Sequence, residues 1–262
     1  MGRKAKILVY TSSADFVPHR EGGGHSCGTF LSEIVEPLEP LVAAGHELHF
    51  ATPDGRPCVI DNGSEKLMFW GFSRKRRDRA LAFIDRLKTM GFDQPRKIGD
   101  ILADPAELES FDALFIPGGH APMTDVAFAN WAKGLELNRD TGALLKHFHD
   151  AGKPTALICH APAALGAAPH VNGKWIYDGY RMTCVSLLAD QLTENVPFFN
   201  SGGHMPDYPK PILERNGGNV SNAMLCKSYV IEDRELVTAQ DLFSGKEIGA
   251  VLLKKVESFI GS

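Results

Sequence analysis

Two short stretches of this 262-residue chain set chemically capable side chains at the end of an apolar run. The first is Ala156-Leu157-Ile158-Cys159-His160-Ala161-Pro162-Ala163. A run of strand length ends on a thiol and an imidazole, and the residues after them begin a helix in which Pro162 is tolerated in the first turn. A thiol at a sharp strand-to-helix junction has the mechanics of a nucleophile elbow, with sulfur in place of oxygen. The free N–H groups and positive dipole end of a helix start favour the thiolate and lower its pKa. The bland alternative is a cysteine that packs the strand end, beside a histidine that points elsewhere. The second stretch is Ile116-Pro117-Gly118-Gly119-His120. Paired glycines after a strand let backbone N–H groups approach a substrate oxygen, as an oxyanion hole requires, although Gly-Gly also serves as a plain turn. In a parallel sheet ligands bind at the carboxyl ends of strands, so two such ends in neighbouring strands converge on one crevice.

The elements that must position these residues follow α/β punctuation. Ile7–Tyr10 reads as a buried first strand and is followed by a polar loop, Thr11–Ser26. Apolar residues at helical spacing run from Phe30 to Val42, with Pro37 and Pro40 predicting a bend or break. Leu48–Thr52 is a second strand. Residues 53–105 fit the alternation less well and are expected to be an insertion beside the sheet, with a helical run over Arg79–Met90. Its basic cluster, Arg74-Lys75-Arg76-Arg77, is either a nucleic-acid patch or a solvated helix face, and the second is the commoner use. Strand Phe111–Ile116, helix Gly142–Asp150, strand Thr155–Ile158 and helix Ala161–Ala168 restore the alternation. A glycine-rich strand region (Trp175–Val185), a capping loop (about 193–215), a hairpin (Ser228–Glu232 and Glu235–Thr238) and a helix (Ser244–Phe259) complete the chain. The expectation is one domain over 1–262: a three-layer α/β sandwich with a mostly parallel, flavodoxin-like central sheet and a small inserted cap segment.

Composition excludes several classes. The 28 Lys+Arg against 32 Asp+Glu give a net charge of −4, which argues against a general binder of phosphate backbones. No apolar run approaches a membrane span, and the basic start of the chain is followed by too short an apolar stretch for a signal peptide. A cytoplasmic protein with no membrane and no nucleic-acid partner is expected. The five cysteines, Cys27, Cys58, Cys159, Cys184 and Cys226, are widely spaced and form no C-x-x-C pair. A disulfide framework or structural zinc is not predicted.

Pro117-Gly118-Gly119-His120 followed by Cys159-His160-Ala161-Pro162 resembles the DJ-1/PfpI superfamily, within the class I glutamine amidotransferase-like fold. The extra segment between the second strand and Phe111 resembles its longer Hsp-type glyoxalase III branch, and the likeness spans about Lys6 to Ile260. It implies a nucleophile at Cys159 with His160, and an acid on the helix after the first strand. Gly28-Thr29-Phe30-Leu31-Ser32-Glu33 matches that motif, so Glu33 is the counterpart and Glu36 the competing choice. It also implies a triad acid at Asp190, reached from Gly179-Tyr180-Arg181-Met182-Thr183-Cys184, with Cys184 as a strand residue. Gly118, Gly119, His120 and Ala161 become the oxyanion and substrate-binding positions; Ala161 replaces the family's usual glycine. Some members of the branch carry a two-histidine, one-carboxylate metal site. Here Glu47 stands at the carboxylate position but Val42 at a histidine position, and no histidine lies between Pro53 and Pro105, so no metal is expected there and no cofactor is needed. His25 and Cys27 are a weak pair of metal ligands; the segment Pro18–His25 is expected to line the mouth of the site, and the loop with His204 and Tyr208 to cap it. The implied activity is glutathione-independent conversion of an α-oxoaldehyde, methylglyoxal, to lactate through a Cys159 hemithioacetal. The alternatives are a Cys-dependent hydrolase (peptidase, amidase or deglycase) and a stress chaperone or cysteine redox sensor. The family habit implies a homodimer.

Overall fold

A computed structural model describes residues 3–196 and 202–261. Its frame is a seven-stranded sheet of β1 (Lys6–Tyr10), β2 (Glu47–Thr52), β3 (Arg96–Lys97), β4 (Ala113–Ile116), β5 (Thr155–Ile158), β6 (Val230–Asp233) and β7 (Leu236–Ala239), in the spatial order β6-β7-β5-β4-β1-β2-β3. Every pairing is parallel except the β6–β7 hairpin. Register follows from period-two burial on both faces. In β1, Ile7 and Val9 enter one core and Leu8 and Tyr10 the other, while Leu8 sits opposite His49 and Leu114.

One core packs the sheet against α1 (Leu31–Ala43), α2 (Arg74–Lys88) and the C-terminal helix Gly245–Gly261; the other packs it against α3 (Arg139–Asp150). The expected three-layer sandwich is therefore present. So is the expected α1, but it runs unbroken through Pro37 and Pro40. The prolines remove two backbone donors, yet Leu38, Leu41 and Val42 remain buried and Gly249 of the C-terminal helix lies hard against Pro37. Packing holds together what propensity alone would break.

Three other expectations change. Ala161–Ala167 is a 3-10 helix, not an α-helix. Gly142 of α3 presses on the Ala167 carbonyl, and the Trp175 indole N–H takes the Leu165 carbonyl at 3.1 Å, so the segment closes i→i+3 bonds instead. Trp175–Val185 is not a strand region. It holds turns between the two-residue strands Lys174–Trp175 and Arg181–Met182, because Tyr177 and Tyr180 turn inward over the bonds Asp178 N–H to Trp175 O and Tyr180 N–H to Tyr177 O. Cys184 lies just beyond the second of these strands, in irregular chain. The segment 53–105 is woven into the frame, with α2 packed on α1 and β3 extending the sheet at β2. Its basic cluster opens α2 on a Ser73 cap, and Arg76 and Arg77 pair with Glu36 (3.8 Å) and Asp78 (2.7 Å), as a solvated face does. Past Asp190, α4 (Leu187–Asn195) leads into the capping segment, of which Pro209–Arg215 is helical and residues 197–201 lie outside the described chain. No helix among the described residues is long and apolar enough to cross a membrane.

Candidate active site

Because β1, β4, β5 and β7 run parallel, the residues that leave their carboxyl ends meet at one edge of the sheet: Thr11, the Gly118-Gly119-His120 turn, Cys159-His160 and Gln240-Asp241. Cys159 itself has a φ of +63°. For a residue with a side chain this is a strained, left-handed conformation that persists only where the surroundings impose it. They do so here from both sides: its N–H donates to Ala239 O and its carbonyl accepts from Val185 N–H, each at 2.9 Å. The sharp turn aims the side chain out of the sheet, as the elbow reading expects.

His160 does not point elsewhere. Its Nδ1 is 3.2 Å from Cys159 Sγ and its Nε2 is 2.9 Å from Asp190 Oδ1. A carboxylate only accepts, so Nε2 carries the hydrogen and Nδ1 is left as a lone pair facing the thiol. Asp190 is buried, and it sits in the first turn of α4 rather than in a strand or turn; its second oxygen, Oδ2, has no hydrogen-bond partner among the described residues.

On the other side of the sulfur stands Glu33, in the first turn of α1 and 1% exposed. Its carboxyl lies against the Cys159 thiol and the Gly119 N–H. Burial pushes this acid up to about 8, although the thiol and the Gly119 N–H pull the other way. Glu36, the competing choice, faces Arg76 and the C-terminal helix instead. The approach of Glu33 explains the glycines. A Cβ at Gly118 would stand 2.3 Å from Glu33 Oε2 and 2.6 Å from Cys159 Cβ; at Gly119, where φ is +97°, it would stand 2.3 Å from Gly28 O. The Gly119 N–H faces the Cys159 sulfur and the Glu33 carboxyl, whereas what Gly118 visibly supplies is room.

The expected depression of the thiol pKa is not found. Burial first, and the adjacent Glu33 second, push Cys159 well above its ordinary value. The physical reason is local: the helix that was to lower it is a seven-residue 3-10 segment, and the sulfur is buried beside an acid. Both members of the Glu33–Cys159 pair thus keep their protons at neutral pH.

The remaining sequence candidates separate. Ala161 is buried at the first position of the 3-10 helix. His120 packs edge-on against His160, with ring centroids 4.5 Å apart. His25 reaches the same place, its Nε2 3.0 Å from His120 Nδ1, so the 18–25 segment does line the mouth. Cys27, however, turns its sulfur to Ala14 O at 4.0 Å, and the two are not co-ligands. His19 was not singled out in the sequence; its Nε2 is 2.7 Å from His25 Nδ1. The spacing His19–His25 places the pair on the paired strands Phe16–Pro18 and Gly24–Ser26 and the turn between them, a signal legible only once that hairpin is known. Donor atoms of His120, His160 and Asp190 lie within 4.8 Å of one another, a set able to take a cation only by breaking the His160–Asp190 bond. Glu47 stands at the opposite, N-terminal end of β2, exposed, 3.8 Å from His49.

The cap is tied down by Glu194, which accepts Met205 N–H at 2.8 Å and Tyr208 O–H at 2.7 Å. Arg20 donates to His204 O and Met205 O, and Glu21 pairs with His204 at 2.8 Å, so the 18–25 and 202–208 segments clasp each other.

A family model, the DJ-1/PfpI family, matches residues 28–255. The protein/nucleic acid deglycase HchA of Escherichia coli O7:K1 is 26% identical over 253 residues, covering 97% of this chain and 81% of that one. Among solved structures, the Rapid Encystment Protein 24 kDa of Francisella tularensis superposes with a TM-score of 0.76 at 21% identity, over 96% of this chain and 99% of the other. Glyoxalase III of Candida albicans does so with 0.67 at 18%, over 96% and 97%. At these identities the two superpositions establish the shared fold.

Proposed function

Because the chain belongs to the DJ-1/PfpI family, we propose that it is a cysteine-dependent, glutathione-independent glyoxalase that converts methylglyoxal to lactate, with Cys159, His160, Asp190 and Glu33 as its working groups. The observation that carries this reading is the sulfur's position, 3.2 Å from the His160 lone pair on one side and against a protonated carboxyl on the other.

The chemistry runs on these groups alone. The thiol proton passes to His160 Nδ1, and the imidazolium is held by Asp190. The thiolate attacks the aldehyde carbon, and the oxygen that becomes negative takes the Glu33 proton beside the Gly119 N–H. The Glu33 carboxylate then removes the hydrogen of that carbon as a proton while His160 protonates the neighbouring carbonyl oxygen, giving an enediol. Glu33 returns its proton to the second carbon and the first hydroxyl gives its own to His160, leaving a lactoyl thioester. Water, losing a proton to Glu33, displaces the thiolate; lactic acid leaves and ionises. His160 and Glu33 both border the sulfur on which the substrate would be held, which is the placement general acid–base catalysis requires.

A second reading is favoured by the name of the E. coli relatives, protein/nucleic acid deglycase: for this chain, deglycation of aldehyde adducts with Cys159 and Glu33 in the same roles. For this chain a net charge of −4, with Arg76 and Arg77 engaged in ion pairs, supports small aldehydes or glycated side chains over nucleic acid as substrate. A homodimer, about twice 28.6 kDa in solution, is part of the proposal.

The test is lactate formation from methylglyoxal without thiol cofactor, for wild type, Cys159→Ala and Glu33→Gln, beside release from methylglyoxal-modified N-acetylarginine. Activity on the free aldehyde that both substitutions abolish is the expected result. Activity on the adduct alone assigns the deglycase, and lactate from Cys159→Ala overturns the site.

A further inference from the structure

Conversion of methylglyoxal and water to lactate liberates one proton per turnover. The groups that handle protons here are shut in: Glu33 is 1% exposed and His160 and Asp190 are 3% exposed. We propose that His120, His25 and His19 form a proton relay between the Cys159 site and the surface, an inference that rests on the functional reading above for the proton it carries but not for its geometry.

The three rings are hydrogen-bonded in series, and the inner one abuts the site. His120 stands edge-on to His160, its Nδ1 is 3.0 Å from His25 Nε2, and His25 Nδ1 is 2.7 Å from His19 Nε2. Both N···N separations are hydrogen-bonding distances. Each neutral imidazole presents one N–H and one lone pair, so it can accept a proton on one nitrogen as it yields one from the other. The outer end lies under the cap. His19 is 7% exposed there, deeper than the half-buried His25 and His120: a Cβ on Gly203 would stand 2.5 Å from its Nδ1, and the proton leaves past the neighbouring, exposed Gly202. The path is therefore from the product acid to the nitrogen of His120 not bonded to His25, from His120 Nδ1 to His25 Nε2, from His25 Nδ1 to His19 Nε2, and out beside Gly202. At each ring one N–H bond forms and one breaks, no electrons are transferred, and ring reorientation restores the starting tautomers. Burial and the adjacent rings hold His25 down to about 4 and His120 well below the ordinary histidine value, so at neutral pH neither ring carries a resting charge that would block the next proton.

His25→Ala removes the middle ring without touching the sulfur, His160 or Asp190. In weak buffer its kcat is expected to fall several-fold with KM unchanged, and small concentrations of imidazole are expected to restore it saturably, an effect a merely structural role would not produce. Unchanged kcat in weak buffer, or a loss imidazole does not repair, overturns the relay. A readout independent of substrate separates this from failure of the functional reading: in wild type labelled with ¹⁵N-histidine, scalar couplings across the His19–His25 and His25–His120 hydrogen bonds are expected. If wild type makes no lactate and releases no adduct, the functional reading falls, and absence of those couplings is what overturns the relay.

Discussion

At the scale of single residues, the site is a set of protons kept where water would take them away. Glu33 stays neutral in the folded protein up to about pH 8, whereas the same acid in an unfolded chain ionises near ~4.3. Between those values the native state binds the extra proton, so this residue's contribution to stability declines as pH rises from about 5 through about 8, at up to ~1.4 kcal/mol per pH unit. Glu33→Gln should abolish that slope, and thermal melts from about pH 5 to 9 should show the variant gaining on wild type by a few kcal/mol at the alkaline end. Activity of the wild type should fall over the same alkaline range, as the acid that protonates the developing oxyanion is lost. Asp190→Asn keeps an acceptor for His160 Nε2 but removes its charge; kcat should drop by roughly 10²–10⁴ with little change in melting temperature. The sequence made Cys159 and His160 visible through their place at the end of a buried run, and Glu33 and Asp190 only through the family motif. It could not show the direction of the thiol's pKa, because that depends on how deeply four elements enclose one sulfur.

At the scale of elements, glycine marks where backbones must touch. Gly249 lets the C-terminal helix cross α1: a Cβ there would stand 2.8 Å from Pro37 Cα and 2.9 Å from Pro37 O. Alanine gains up to ~1 kcal/mol of helix propensity, but overpacking a backbone contact costs about 1–3 kcal/mol. Gly249→Ala should therefore lower the melting temperature by several degrees while kcat per folded molecule is unchanged. Gly118→Ala should lose stability and activity together, since its Cβ would displace both Glu33 and Cys159. The same contacts show why some elements were legible and others not. The strands Ile7–Tyr10, Ala113–Ile116 and Thr155–Ile158 announce themselves by short, largely apolar runs. The continuity of α1 through two prolines and the 3-10 form of Ala161–Ala167 depend on contacts with Gly249 and Gly142 from distant parts of the chain, and no local pattern carries them.

At the scale of the whole molecule, the order β6-β7-β5 has a consequence for synthesis and for clipped forms of the protein. The strand beside β5 is β7, contributed by Leu236–Ala239, so the segment bearing the elbow waits for nearly the entire polypeptide before one of its flanks is covered. While translation is still in progress, Thr155–Ile158 offers an apolar, unpaired flank of the kind that recruits other chains. Premature termination anywhere upstream of residue 236 should give insoluble product rather than a weakened enzyme, and in pulse-labelled lysates folding chaperones should hold the nascent form until release from the ribosome. Competence is thus conferred late and all at once, and partial copies of this gene product are hazardous rather than feeble.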